Sequence, residues 1–116
     1  MIRPGAVVIV HLVNPTEKFW GILQELGVAG VTLRGINLST FDDWMAQAAR
    51  PGDQTLGLST MFVPLFRVEK VFLDESVGEV ESYRQRFAKR VGISVERYLR
   101  LEPGSGEEEE SVEVPS

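Results

Sequence analysis

The sequence predicts a mainly β fold with added helices (α+β), in which five strands form a small barrel. The first observation is a β-hairpin pattern, in which two apolar runs are joined by the glycine-bracketed residues 27–30. The second is that strand patterns also precede and follow this hairpin. The third is the presence of Gly21 and Gly35 inside the paired runs. A glycine within a strand usually marks a bend or a close backbone approach, so two in paired strands predict a sheet that curls.

The hairpin covers residues 18–37 and is the centre of the predicted sheet. In its second strand, Val31 and Leu33 alternate with Thr32 and Arg34, which is typical of one buried and one solvent-facing side. Glycine reaches positive φ angles at no steric cost, which a tight hairpin turn needs.

Three further strands are predicted around the hairpin. Residues 6–13 are apolar on both faces, which fits a strand buried on both sides. Residues 14–16 form a turn into the hairpin. Residues 58–66 and 67–73 form two more strands with a tight corner at residues 64–67, because proline cannot donate to a strand ladder.

A helix is predicted between the third and fourth strands. Phe41, Trp44, Met45 and Ala48 recur at the spacing of one helix face. Ser39 and Thr40 precede Asp42 and Asp43 by three residues, which is the spacing of a capping box, so we expect the helix to open there.

Two short helices are predicted after the last strand. The first runs from about residue 79 or 82 to residue 91, with Ser82 and Gln85 as a capping box and Gly92 as the terminating residue. The second is capped by Ser94 and runs from residue 95 to about residue 101. The apolar stripe of the first is formed by Val80, Tyr83, Phe87 and Val91.

The charge distribution predicts one domain, residues 1–102, followed by an acidic tail, residues 103–116. The domain holds all 12 Lys and Arg residues and 12 of the 17 Asp and Glu residues, so it is neutral. The tail has Gly, Ser, Pro and five glutamates without an aromatic residue, and we expect it to be disordered.

Composition excludes several kinds of site. The chain has no cysteine, which excludes disulfides, thiolate zinc sites and cysteine nucleophiles and suits the reducing cytoplasm. No run approaches the roughly 20 apolar residues of a membrane span, so no membrane partner is expected. The N-terminus lacks the pattern of a signal peptide.

Two segments resemble the Sm-like family of small five-stranded barrels of the SH3 type. KFWGIL (residues 18–23) is similar to the second strand of the first Sm motif. FVPLFRVEKV (residues 62–71) is similar to the fourth strand, short turn and fifth strand. The resemblance covers residues 5–74 and implies a barrel whose edges pair between copies into a ring. The predicted helix between strands three and four lies where the family has a variable loop.

The RNA-binding residues of that family are absent from this sequence. The family's aspartate and asparagine positions fall near Gly27 and Val31. The second segment also lacks the family's Arg-Gly or Lys-His pair. The resemblance therefore implies the fold and not the RNA site.

No catalytic, metal or cofactor site is predicted. His11 is the only histidine and lies among valines, so we expect a buried or half-buried, hydrogen-bonded side chain. The acidic pairs 42–43 and 74–75 are typical of helix-capping residues rather than of an acid–base or metal site. The sequence has neither a nucleophile elbow nor a phosphate-binding loop.

One basic segment, residues 84–102, has six basic and two acidic residues. A phosphate-binding surface requires such a cluster, whereas a solvated helix face paired with nearby acids is the simpler interpretation. A further hypothesis is that the glutamate run, residues 107–110, folds onto this segment and masks it. Deleting residues 103–116 should then raise the affinity for a polyanion. The basic residues are Arg84, Arg86, Lys89, Arg90, Arg97 and Arg100.

The predicted function is that of a non-enzymatic interaction or regulatory module that self-associates into a homo-oligomer, with a further protein partner possible. One alternative is nucleic-acid binding through the basic segment. The other is a small-ligand protein or enzyme with a site built from Arg34, Arg67 or Asp74. Four aromatic residues are predicted to lie in the core or at an interface, namely Phe19, Trp20, Phe62 and Phe66.

Overall fold

The computed structural model describes residues 1–50, 52 and 55–101. These residues form an α+β domain with one five-stranded antiparallel sheet and three helices. The predicted acidic tail, residues 103–116, lies outside the described residues. The strands are β1 (Val7–Leu12), β2 (Glu17–Leu26), β3 (Gly30–Asn37), β4 (Ser59–Pro64) and β5 (Val68–Leu73), and the helices are α1 (Phe41–Ala48), α2 (Tyr83–Val91) and α3 (Val95–Leu101).

The order of elements confirms the mainly β prediction with added helices. The hairpin is β2 and β3, α1 lies between β3 and β4, and α2 and α3 follow the last strand. The longest of the described helices has nine residues, whereas a helix that crosses a membrane needs about 20.

The sheet is not closed into the predicted barrel. Its strand order is β4-β3-β2-β1-β5, so β4 and β5 form its two edges. A three-residue 3-10 turn, Leu65–Arg67, follows Pro64 and passes the chain from one edge to the other. After this turn β5 pairs with β1 and not with β4, so no hydrogen-bond ladder joins β4 to β5. The short turn nevertheless brings the two edges together at this corner, so the sheet is strongly curled.

The two strand glycines face each other at the centre of the hairpin. Gly21 of β2 is paired with Gly35 of β3. A Cβ atom added to Gly21 would lie 2.3 Å from the carbonyl oxygen of Arg34, and one added to Gly35 would lie 2.3 Å from that of Trp20. The predicted close backbone approach is therefore confirmed, since no side chain fits between these strands.

The sheet buries side chains on both faces. Successive strand residues point to opposite sides, so Val8 and Val10 of β1 face an inner cluster while Val7 and Ile9 face an outer one. This explains the unbroken apolar run in β1. The inner cluster consists of Val8, Val10, Leu12, Leu23, Val31, Leu33 and Val63, with partly buried neighbours.

Aromatic side chains connect the outer face of the sheet to the helices. The ring of Trp20 lies 5.0 Å from that of Phe41 and 5.6 Å from that of Trp44, and Trp44 lies 5.2 Å from Phe87. All four are fully buried. The predicted apolar faces of α1 and α2 therefore pack on the sheet through rings at ordinary contact distances.

The capping residues predicted for α2 and α3 are confirmed, whereas those predicted for α1 are not. Ser82 accepts a hydrogen bond from the backbone N–H of Gln85 at 3.0 Å, and Gly92 ends α2 with a φ of 96°, as predicted. The backbone N–H of Arg97 donates to the Ser94 hydroxyl at 3.1 Å, which caps α3. Val80 lies before α2 and is 72% exposed, so its predicted place in the apolar stripe is wrong.

The predicted capping box of α1 is wrong. A 3-10 turn, Leu38–Thr40, precedes the helix, and the Asn37 side chain caps that turn by accepting from the backbone N–H of Ser39 at 2.9 Å. Thr40 is already in a helical conformation and makes no side-chain cap. The chain thus changes direction at Asn37, before the residues that carry the capping pattern.

Candidate interaction surfaces

Exposed apolar side chains lie close together where the β2–β3 connector, residues 27–29, contacts the turn Leu65–Arg67 between β4 and β5. The backbone N–H of Leu65 donates to the carbonyl oxygen of Ala29 at 3.0 Å, which joins these two segments. Phe62 is 55% exposed, Phe66 83% and Val28 96%. We call Leu26, Val28, Phe62, Leu65 and Phe66 the apolar corner.

The position of Phe62 is fixed by a glycine. A Cβ atom on Gly30 would lie 2.8 Å from the ring of Phe62 and 2.1 Å from the carbonyl oxygen of Val63, so only glycine leaves room for this packing. The ring lines a shallow surface cavity with Glu25 and Thr32. An apolar patch on an edge strand is a typical site for contact with another chain.

Two of the four predicted interface residues lie inside the domain. Trp20 is fully buried in the outer cluster, and Phe19 is partly buried against the inner cluster. The interface hypothesis therefore rests on Phe62 and Phe66, both of which belong to the apolar corner.

Asp74 is a buried carboxylate that joins the sheet to α2. Its Oδ2 accepts from Trp20 Nε1 at 3.0 Å and from the backbone N–H of Arg84 at 2.9 Å, and its Oδ1 accepts from the backbone N–H of Tyr83 at 2.8 Å. The expected capping role is confirmed for Asp74, while its neighbour Glu75 is exposed. Sequence reasoning missed the bond to Trp20, since nothing local links two residues that far apart.

The structure does not bring Arg34, Arg67 and Asp74 together. Arg67 donates to the carbonyl oxygens of Val13 and Pro15 at 3.0 and 2.6 Å, beyond one end of β1. Asp74 lies at the other end of β1, about 20 Å away along a six-residue strand. Arg67 and Asp74 therefore hold the fold at separate places rather than forming one site.

The basic segment is divided between two sides of α2. Arg84 pairs with Glu96 of α3 at 2.7 Å, and Arg86 pairs with Asp42 of α1 at 2.6 Å. Two residues along a helix turn by about 200°, so these arginines point in opposite directions. Lys89 pairs with Glu81. Within the described part of the chain, Arg90, Arg97 and Arg100 have no ion pair. Polyanion binding by this segment stays a prediction.

His11 is partly buried, as predicted, and lies between two lysines. The predicted hydrogen bond of its side chain is wrong, since within the described residues the ring makes none. It is paired with Lys18 of β2 and with Lys70 of β5, and its ring lies 4.8 Å from that of Phe72. Burial lowers the pKa of His11 below its usual value, and the two lysines lower the pKa further, against a smaller opposite effect of Glu69. Lys18 also borders a surface groove of about 460 Å³ that Asn37 and Ser39 line.

We expect the free energy of unfolding to decrease as the pH falls below 6.5, the ordinary pKa of histidine. Because the pKa of His11 is lowered in the folded state, the unfolded chain binds the proton first and is favoured in acid. Urea unfolding between about pH 7.5 and pH 5 measures this effect, and His11→Gln removes it. The native chain should lose more stability over this range than the variant does. Parallel pH profiles for the two proteins would contradict the prediction.

Metal-ligating side chains are dispersed over the described residues, where no three of His, Asp and Glu meet in a metal-binding geometry. Comparison of the chain with known protein families, curated proteins and solved structures found no match. The surfaces that its own geometry presents are thus the apolar corner, the divided basic segment and the lysines around His11.

Proposed function

We propose that this domain is a non-enzymatic interaction module that self-associates through the apolar corner and the edge strand β4. The observation that carries the proposal is the exposure of Phe62 and Phe66 beside an unpaired strand edge. An edge strand presents free N–H and C=O groups, and large apolar side chains next to it favour pairing with another strand.

A second copy of the chain is the partner that fits this surface. The two edges of the sheet are different strands, β4 and β5, and each copy offers both. Pairing β4 of one copy with β5 of the next is a head-to-tail contact, which closes into a ring when the rotation allows. The resemblance to the ring-forming Sm-like family supports this arrangement.

We also propose that the curled sheet is an open barrel of the SH3 type, as that resemblance implies. Support comes from the strand order, from the three-residue turn that brings the two edges together, and from the glycine pair at the hairpin centre. The cytoplasm is the proposed location because a cysteine-free chain suits a reducing compartment. The separate structural roles of Arg67 and Asp74 support a non-enzymatic module.

Phe66→Glu should convert the native oligomer to monomers, because it places a charge in the proposed contact. Light scattering at low and high salt measures the mass, and an apolar contact should resist salt. Val80→Glu is the matched control, since Val80 is 72% exposed and lies outside the apolar corner. The control should keep the native mass.

Two results would overturn self-association through this surface. The first is a native chain that stays monomeric at every concentration tested. The second is an oligomer whose mass is the same in the native chain and in Phe66→Glu. Because Phe66 is exposed, the substitution should leave the fold intact, and circular dichroism checks this.

A further inference from the structure

Three basic residues form one row across the sheet. His11 of β1 lies directly opposite Lys18 of β2 and directly opposite Lys70 of β5. Directly paired residues of antiparallel strands point to the same face, and neighbouring strands lie about 4.8 Å apart. The three side chains therefore share one face and span about 10 Å. We call them the basic row.

The basic row lies on the outer face of the sheet, the face on which the helices pack. Ile9, two residues before His11, packs against the outer cluster, so His11 lies on the same side. Phe72 borders the row, with Lys70 Nζ 5.6 Å from its ring centre. The row thus combines cationic groups with an exposed aromatic surface.

The basic row lacks the acidic partners that Arg84, Arg86 and Lys89 of the basic segment have. Within the described residues, no carboxylate lies within 4.0 Å of the Lys18 or Lys70 ammonium group. Glu69 is the acid near His11, and Glu17 is held by Arg67 at 3.1 Å. When His11 is protonated, like charges lie directly opposite each other in paired strands and destabilise the sheet, so an anion bound across the row would relieve this repulsion.

We propose that the basic row is the docking site for the glutamate run, residues 107–110, of the same molecule. Charge complementarity carries the assignment, because the row carries cationic groups and the run carries anionic ones. Residues 1–102 have balanced charges, and the acids beyond them are five glutamates. This places the run on the sheet instead of on the basic segment, where Arg84, Arg86 and Lys89 already have acidic partners.

The chain is long enough for this contact within one molecule. The glutamate run lies six to nine positions beyond the end of α3 at Leu101, a reach of at most about 20 to 30 Å. Glu96 of α3 and Val7 of β1 line one cavity, and His11 lies about 13 Å from Val7 along β1. The site shares no residue with the apolar corner, although Lys70 lies on β5, the edge strand that would pair with β4 of a second copy.

The only histidine of the chain reports directly on this site. We would titrate His11 by NMR at low ionic strength in the native chain and in a variant carrying Glu107→Gln, Glu108→Gln, Glu109→Gln and Glu110→Gln. A docked glutamate run favours the protonated ring, so the native pKa should be higher by at least about 0.3. The difference should vanish near 1 M salt, where charges are screened within about 3 Å.

Two control variants test whether the effect is local. Glu75→Gln with Glu79→Gln removes exposed acids away from the row and should leave the His11 pKa unchanged. Lys18→Gln with Lys70→Gln removes the docking groups, and in this background the four tail substitutions should no longer change the His11 pKa. Both lysines are exposed, so this background should stay folded.

Three outcomes would overturn the proposal. One is the same His11 pKa with and without the four glutamates. Another is a His11 pKa that still changes with the four tail substitutions after both lysines are replaced. The same conclusion follows if these substitutions change the NMR signals of the Arg90 and Arg97 amides and leave His11 unchanged. The third is a difference in His11 pKa that disappears when the protein is diluted about tenfold. A segment of the same molecule binds independently of protein concentration, so this result would mean that the tail of a second copy occupies the row.

Discussion

Gly21→Ala should remove a large part of the stability of this chain at 25 °C. The new methyl group would lie 2.3 Å from the carbonyl oxygen of Arg34 and 2.6 Å from the Cα of Gly35, and both are backbone atoms in the centre of the sheet. A flexible side chain moves aside for about 1 to 3 kcal/mol, whereas a paired strand moves only by breaking its ladder. We therefore expect a loss of at least about 4 kcal/mol, a large part of the stability of a small domain.

Urea unfolding followed by circular dichroism measures this loss. Gly27→Ala is the matched control in the same hairpin, because an added Cβ there meets no atom within 4 Å. The control should change the free energy of unfolding by less than about 1 kcal/mol. A Gly21→Ala protein with the native urea midpoint would show that the two strands can separate without cost.

Asp74→Ala should lower the free energy of unfolding by about 3 kcal/mol. The substitution leaves the buried Trp20 N–H without its acceptor and removes the carboxylate that caps the first two backbone N–H groups of α2. Losing the hydrogen bond to a charged group costs about 1.5 to 3 kcal/mol, and losing a helix cap about 1 kcal/mol. Urea unfolding followed by tryptophan fluorescence measures the change.

Two further substitutions separate the causes of this loss. Asp74→Asn keeps an acceptor for Trp20 but not the charge, so it should lose less stability than alanine. Glu75→Ala removes the adjacent exposed carboxylate and should change the stability by less than about 0.5 kcal/mol. A loss below about 1 kcal/mol for Asp74→Ala would mean that water replaces the carboxylate.

Features that depend on neighbouring residues were predictable from the sequence. The hairpin follows from alternation and its glycine connector, and the termini of α2 follow from Ser82 and Gly92. The glycine pair also predicted a close backbone approach. In each case the physical cause lies within one hairpin or one helical turn.

Features that depend on register or on distant partners were not predictable. Trp20 and Asp74 are 54 residues apart, and Arg86 and Asp42 are 44 residues apart, so no local pattern links them. Because β1 and β2 are apolar on both faces, alternation does not say which face the helices cover. The basic row exists only through the pairing of β1 with both β2 and β5.

The position of β1 between β2 and β5 has a consequence during synthesis. One edge of this strand pairs with β2 as soon as the hairpin emerges, but the other edge waits for β5. About 60 residues separate Leu12 from the end of β5, which at ribosomal speed is about 3 to 12 seconds. Throughout that interval a valine-rich edge is open to strands of neighbouring nascent chains. Aggregation of this protein should therefore depend more on translation rate and chaperone access than on the stability of its finished fold.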